Sequence, residues 1–90
     1  MAVKIVSENN LSQKITIIQK KAEDLLFKID IPVKADIIIS EWMGFCLLYE
    51  GMLDSVLHVR DHFLNEGGLI FPNKARIFIN AMDDYAFKKK

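Results

Sequence analysis

The sequence predicts an α/β fold in which short strands are linked by crossover connections through a helix. Three observations predict it. Ala35-Asp36-Ile37-Ile38-Ile39 is apolar on both alternating faces except at Asp36, the pattern of a strand buried on both sides in a parallel sheet covered by helices. From Leu47 to Leu64 the period lengthens. Tyr49, Met52, Leu53, Val56, Leu57 and Phe63 recur at steps of three and four, as the apolar stripe of an amphipathic helix does. Leu69-Ile70-Phe71 is then a second short apolar run, and strand, helix, strand in this order suits a crossover in an α/β sheet.

The remaining elements follow in chain order. Ala2, Val3, Ile5 and Val6, ahead of Ser7-Glu8-Asn9-Asn10, read as the last turns of a helix that Asn stops. No residue in front of them can serve as an N-cap, so the chain is expected to begin inside an element of something larger. Ile15-Thr16-Ile17-Ile18 is a β-branched run between polar residues and predicts a strand. Lys20 to Asp30 is mixed, a turn with a brief helical piece, and Pro32 punctuates the approach to the next strand. Asp54, His58, Asp61 and His62 fall on the polar face of the central helix, and Gly67-Gly68 reads as its C-cap. Pro72-Asn73 is a turn. Arg76-Ile77-Phe78-Ile79-Asn80-Ala81 predicts a last strand, followed by a solvated Lys88-Lys89-Lys90.

Composition narrows the function classes. In 90 residues, 51% are hydrophobic, six of them Phe, which argues for a packed chain and against disorder. Lys+Arg and Asp+Glu are both 12, a balance that gives no global pull towards nucleic acid or an acidic membrane. Cys46 is the only cysteine, which excludes an internal disulfide and a cysteine-based metal site. No apolar run approaches the roughly 20 residues of a membrane span, and the N-terminus is too short and too polar for a secretory signal. A reducing setting, cytoplasmic or nuclear, is the expectation.

Chemistry concentrates in one loop. In open α/β sheets functional groups gather past the carboxyl ends of the strands, and Ser40-Glu41-Trp42-Met43-Gly44 follows Ile37-Ile38-Ile39 directly. Glu50 comes nine residues after Glu41, at the entry to the helix, with Gly44 and Gly51 giving the intervening backbone freedom to fold back. Two facing carboxylates suit a guanidinium, whose planar donor fork pairs with them in bidentate fashion. A Glu at a helix entry also serves the helix dipole, and on residue chemistry alone both readings stay open.

The literal string goes further. Ser40-Glu41-Trp42-Met43-Gly44-Phe45-Cys46-Leu47-Leu48-Tyr49-Glu50-Gly51-Met52-Leu53 resembles the double-glutamate loop of the protein arginine methyltransferases. Ile15 to Ile18 and Lys21-Ala22-Glu23 resemble the strand and adenine-contacting segment that precede it. Asp54-Ser55-Val56-Leu57, Arg60-Asp61 and Gly67-Gly68-Leu69-Ile70-Phe71-Pro72 resemble the helix that follows and the passage into the family's β-barrel. Two departures stand out: Lys20 where the family usually has Gly, and Gly51 where Ser is common. The stretch from Leu25 to Ile31 is also longer and more apolar than the family's usual linker.

The resemblance implies the C-terminal part of a Rossmann-like methyltransferase sheet, residues 1–71, running into the first strands of a substrate-binding β-barrel, residues 72–90. It implies transfer of a methyl group from S-adenosylmethionine to the arginine side chain of a protein substrate. Glu41 and Glu50 would be the catalytic pair that holds the guanidinium. Met43 and Trp42 would bind substrate, and Ala22, Glu23, Met52 and Ser55 the cofactor. Full-length relatives of this kind are expected to be homodimers, with neither membrane nor nucleic acid as a direct partner. By chemistry alone Met43 and Met52 could be core filler, and Glu23 and Ser55 solvated surface groups.

The only glycines are Gly44, Gly51, Gly67 and Gly68, so the Gly-rich turn that cradles such a cofactor is not among these residues. The isolated chain is therefore expected to be inactive. A non-catalytic truncated paralogue that docks on a complete methyltransferase is the alternative; another class of S-adenosylmethionine-dependent methyltransferase would share the fold without the loop. His58 and His62 are spaced i, i+4 but lack further ligands for a metal site, and Cys46 has no cationic neighbour in sequence and is expected to be buried.

Overall fold

The structure, a computed structural model, describes residues 1–83 and Tyr85. Its elements are helix α1 (Ala2–Glu8), a 3-10 turn (Ala22–Asp24), strand β1 (Ala35–Ile39), helix α2 (Met52–Phe63) and strand β2 (Leu64–Phe71). β1 and β2 pair in parallel, so the chain leaves β1, passes through α2 and returns alongside. This is the α/β crossover that the apolar patterns predict.

The register explains two glycines. Ala35 faces Leu64, and Ile37, Ile38 and Ile39 face Leu69, Ile70 and Phe71. β1 therefore advances two residues while β2 advances five, and the excess loops out around Gly67, whose φ is 75°. A Cβ on Gly68 would lie 2.6 Å from Leu64 Cδ1 and 2.9 Å from the Asn65 carbonyl oxygen. The pair thus serves a bulge and not the expected helix cap. α2 ends at Phe63 because Leu64 turns to extended backbone, φ −90° and ψ 134°.

α2 also starts later than its apolar period suggests. Cys46 (φ 49°), Leu47 (φ 66°) and Gly51 (φ 68°) are left-handed, a conformation that cannot propagate a right-handed helix. At the chain start α1 closes as expected: the Asn9 side-chain amide donates to the Ile5 carbonyl at 2.8 Å, and Asn10 turns left-handed at φ 56°. Met1 stands at its N-cap without a side-chain cap bond.

Two predicted strands do not form. Residues 15–18 and 76–81 carry no regular structure and pair with neither strand. β-branched composition favours a strand only where a neighbour completes the ladder, and none of the described residues does so here. Lys88-Lys89-Lys90 lies outside the described residues.

The core is small. Trp42, Val56 and Phe63 are the buried apolar side chains among the described residues, at 8%, 6% and 4% exposure. α2 packs against β2 and the 3-10 turn, which covers one side of the sheet. Ile37, Ile39, Leu69 and Phe71 on the other side are exposed, in contrast to the double burial expected of β1. The radius of gyration, 18.9 Å, exceeds the roughly 12 Å of a compact domain of this length. With so thin a core, one methyl counts. Val56→Ala removes about two buried carbon groups, and about 1.5–2.5 kcal/mol of stability should go with them, read as a lower urea midpoint. An unmoved midpoint would show that Val56 is not part of the core.

Candidate functional site

The loop between β1 and α2 is built to fold back on itself. The Ser40 N–H donates to the Phe71 carbonyl at 3.0 Å, carrying the ladder one residue past β1 and anchoring the loop's first end. Trp42 pins the next turn from inside. Gly44 and Leu47 then exchange both backbone hydrogen bonds, 3.1 and 2.9 Å, and the Tyr49 N–H reaches the Phe45 carbonyl at 3.1 Å. Two adjacent non-glycine residues, Cys46 and Leu47, are held left-handed to make this turn. Strain of that kind, roughly 1–3 kcal/mol per residue, collects at functional sites.

The fold-back brings Glu50 against Gly44. A Cβ on Gly44 would lie 2.7 Å from Glu50 Cγ and 2.8 Å from its Cδ, so only glycine leaves room for that side chain. Glu41 and Glu50 are both exposed. Among the described residues neither has a hydrogen-bond or ion-pair partner, whereas Glu8, Asp30 and Asp61 each meet a cation. Two carboxylates on one tight loop, both with free lone pairs, can receive a cation with several N–H donors.

A second cluster forms on the α2 side of the sheet. Ala22, Ser40, Met52 and Ser55 line a cavity of about 190 Å³, with Ile38 and Val56 among its apolar walls. Ser55 Oγ donates to Glu23 Oε1, which ties the 3-10 turn to α2. That bond, followed by the backbone N–H of Glu23 itself, holds the Glu23 carboxyl below its ordinary value; His58 and Lys21 add to this and burial opposes it. All four residues expected at the cofactor therefore meet in one place. The Ser40 hydroxyl is buried beside them without a partner among the described residues, an orphan that a bound group could satisfy. Sequence reasoning gave Ser40 no role; its position one residue beyond β1 is the signal that could have found it.

Other expected residues are placed differently. Trp42 is largely buried and lines a separate cavity of about 410 Å³ with Leu53, Val56 and Ile70, so it supports the loop from beneath. Met43, next to it, is half-buried. Cys46, expected inside, is exposed, because the left-handed turn swings it outward. His58 and His62 stack at 4.2 Å, and the described residues contain no cluster of three or more metal-ligating side chains.

Comparison with known proteins places this geometry. No protein-family model matches the chain. It is 48% identical over 90 residues to protein arginine N-methyltransferase 1 of Dictyostelium discoideum, a match over 100% of this chain and 26% of that protein. It is 51% identical over 88 residues to protein arginine N-methyltransferase 1 of Saccharomyces cerevisiae, over 98% of this chain and 24% of that protein. Among solved structures, Arabidopsis thaliana protein arginine methyltransferase 10 superposes with a TM-score of 0.72 at 42% identity, covering 79% of this chain and 19% of that one. The chain thus spans about a quarter of the length of the relatives it matches.

Proposed function

This chain belongs to the protein arginine N-methyltransferase family, and from that premise we propose that it supplies the substrate-arginine clamp and part of the methyl-donor site of such an enzyme. The observation that carries the proposal is the loop itself. Glu41 and Glu50 are exposed and without a partner among the described residues, they flank a strained turn, and the second is seated on Gly44.

Their chemistry follows from charge and shape. Two anions brought together repel, and a cation between them removes that cost. A guanidinium satisfies both through parallel N–H···O bonds. The carboxylates then draw its positive charge towards the nitrogens they hold, leaving the remaining nitrogen richer in electrons and better able to attack. Orientation and preorganised electrostatics supply the rate, as no covalent bond to the enzyme is needed. Met43, beside Glu41, would line the arginine's path, and Trp42 would fix the loop from the core.

The small cavity fits one end of S-adenosylmethionine. At about 190 Å³ it is below the roughly 300–1,000 Å³ of a complete ligand pocket, which suits a single ring system. Its apolar walls suit the faces of an adenine, and Glu23, held beside them by Ser55, would offer an acceptor to its exocyclic amine. Ala22, Met52 and Ser55 would complete the grip, with Met52 towards the sulfonium. When bound, the cofactor supplies an electrophilic methyl group.

An exchange tests the proposal. The 88 matching residues of the S. cerevisiae relative are replaced by this chain, and methyl transfer to an arginine-rich protein is measured with radiolabelled S-adenosylmethionine. Turnover within about tenfold of the unexchanged enzyme is expected, since the site groups are retained. A folded, dimer-competent exchange protein with no transfer would count against it.

A further inference from the structure

Lys20 and Asp30 close the ends of the segment that presents Ala22 and Glu23. Lys20 Nζ donates to both carboxylate oxygens of Asp30, at 2.8 and 2.9 Å, and the Leu26 N–H donates to Asp30 Oδ2 at 2.9 Å. Backbone bonds tighten the same knot: Asp30 N–H to the Leu26 carbonyl at 2.8 Å, and Lys28 N–H to the Ile31 carbonyl at 2.7 Å. The Asp30 side chain is 12% exposed and that of Lys20 42%. This is unlike the loose pair Lys4–Glu8, which is 3.7 Å apart with 78% and 61% exposure and belongs to the surface class worth little.

The turn inside this ring has little to hold it otherwise. Ala22–Asp24 is a three-residue 3-10 turn, supported by bonds from Asp24 N–H to the Lys21 carbonyl at 3.1 Å and from Leu25 N–H to the Ala22 carbonyl at 3.4 Å. So short a piece does not persist unaided. Yet from it Glu23 must meet Ser55 on α2, and Ala22 must form a wall of the cavity.

We propose that Lys20 and Asp30 are a clasp that sets the 22–24 turn against α2, making Lys20 a positioning residue for the methyl-donor site. The proposal rests on the reading of that cavity given above. Lys20 holds the Asp30 carboxyl below its ordinary value, with the Leu26 N–H second, so Asp30 stays ionised at neutral pH. The same departure from the family's usual glycine that Lys20 represents in sequence is thereby paired with the longer linker that contains Asp30.

The test uses the exchange enzyme and calorimetric titration with S-adenosylhomocysteine. Lys20→Met should raise its Kd about three- to tenfold, the scale of charge-assisted hydrogen bonds partly screened by water. The kcat at saturating S-adenosylmethionine should stay unchanged and Lys20→Arg should bind normally. Lys20→Met combined with Asp30→Asn should bind no worse than either alone. If Lys20→Met binds normally while Ser55→Ala binds weakly, the clasp is overturned and the cavity reading stands. If neither variant weakens binding, both are overturned. A second measurement needs no cofactor. In carboxyl NMR titrations of the 90-residue chain, Lys20→Met should raise the midpoint of Glu23, which faces Ser55, His58 and Lys21, together with that of Asp30. Movement of Asp30 alone would overturn the clasp.

Discussion

Glu41→Gln and Glu50→Gln, each placed in the exchange enzyme, should lower arginine methylation by about 100- to 1,000-fold, the range seen when one preorganised electrostatic group is removed from a reacting centre. The amide keeps the size of the carboxylate but loses its charge and half of its acceptor capacity. Because both glutamates are exposed and have no bonding partner among the described residues, the change leaves no buried group unsatisfied. The urea midpoint should therefore stay where it is. The loss should sit in kcat, since charge localisation on the guanidinium matters most as the methyl group moves. Near-normal turnover in either variant would remove that glutamate from the clamp.

Gly44→Ala should lower turnover about 10- to 100-fold through Glu50, without touching a charged group. The added Cβ would sit 2.7 Å from Glu50 Cγ and 2.8 Å from Cδ, well inside van der Waals contact. What must give is a flexible side chain and not backbone, so the fold survives while the carboxylate moves by an ångström or more. Displacement on that scale can cost about 100-fold in a positioned reaction. Gly51→Ala is the informative contrast. Its Cβ meets nothing within 4 Å, but its φ of 68° strains an L-residue, so the cost should appear as about 1 kcal/mol of stability. Equal turnover in Gly44→Ala and the parent would show that Glu50 need not lie where the loop puts it.

Particular residues show how much of this was legible in the sequence. The parallel pairing of β1 with β2 follows from the apolar runs Ile37-Ile38-Ile39 and Leu69-Ile70-Phe71 on either side of a helix, although one face of the pair is exposed. The loop's place beyond β1 follows from the order of the elements alone. The meeting of Ala22 with Met52 and Ser55 follows from the family resemblance, because no periodicity joins Ala22 to residues 30 and 33 positions further on. The strands predicted at 15–18 and 76–81 failed because a single strand's pattern says nothing about whether a neighbour is there to pair with it. The start of α2 was placed too early because apolar spacing is blind to φ, and Cys46 and Leu47 hide their left-handed turn behind ordinary side chains. The Lys20–Asp30 clasp was invisible for a related reason: charges ten apart in a mixed segment look like any solvated pair.

The central claim is that Glu41 and Glu50 together receive one arginine side chain. A crystal structure of the exchange enzyme with S-adenosylhomocysteine and an arginine-containing peptide tests it most directly. The account predicts one guanidinium between the two carboxylates, with N···O distances of about 2.7–2.9 Å to each. An ordered peptide whose arginine binds elsewhere, with Glu41 and Glu50 facing solvent, would contradict it.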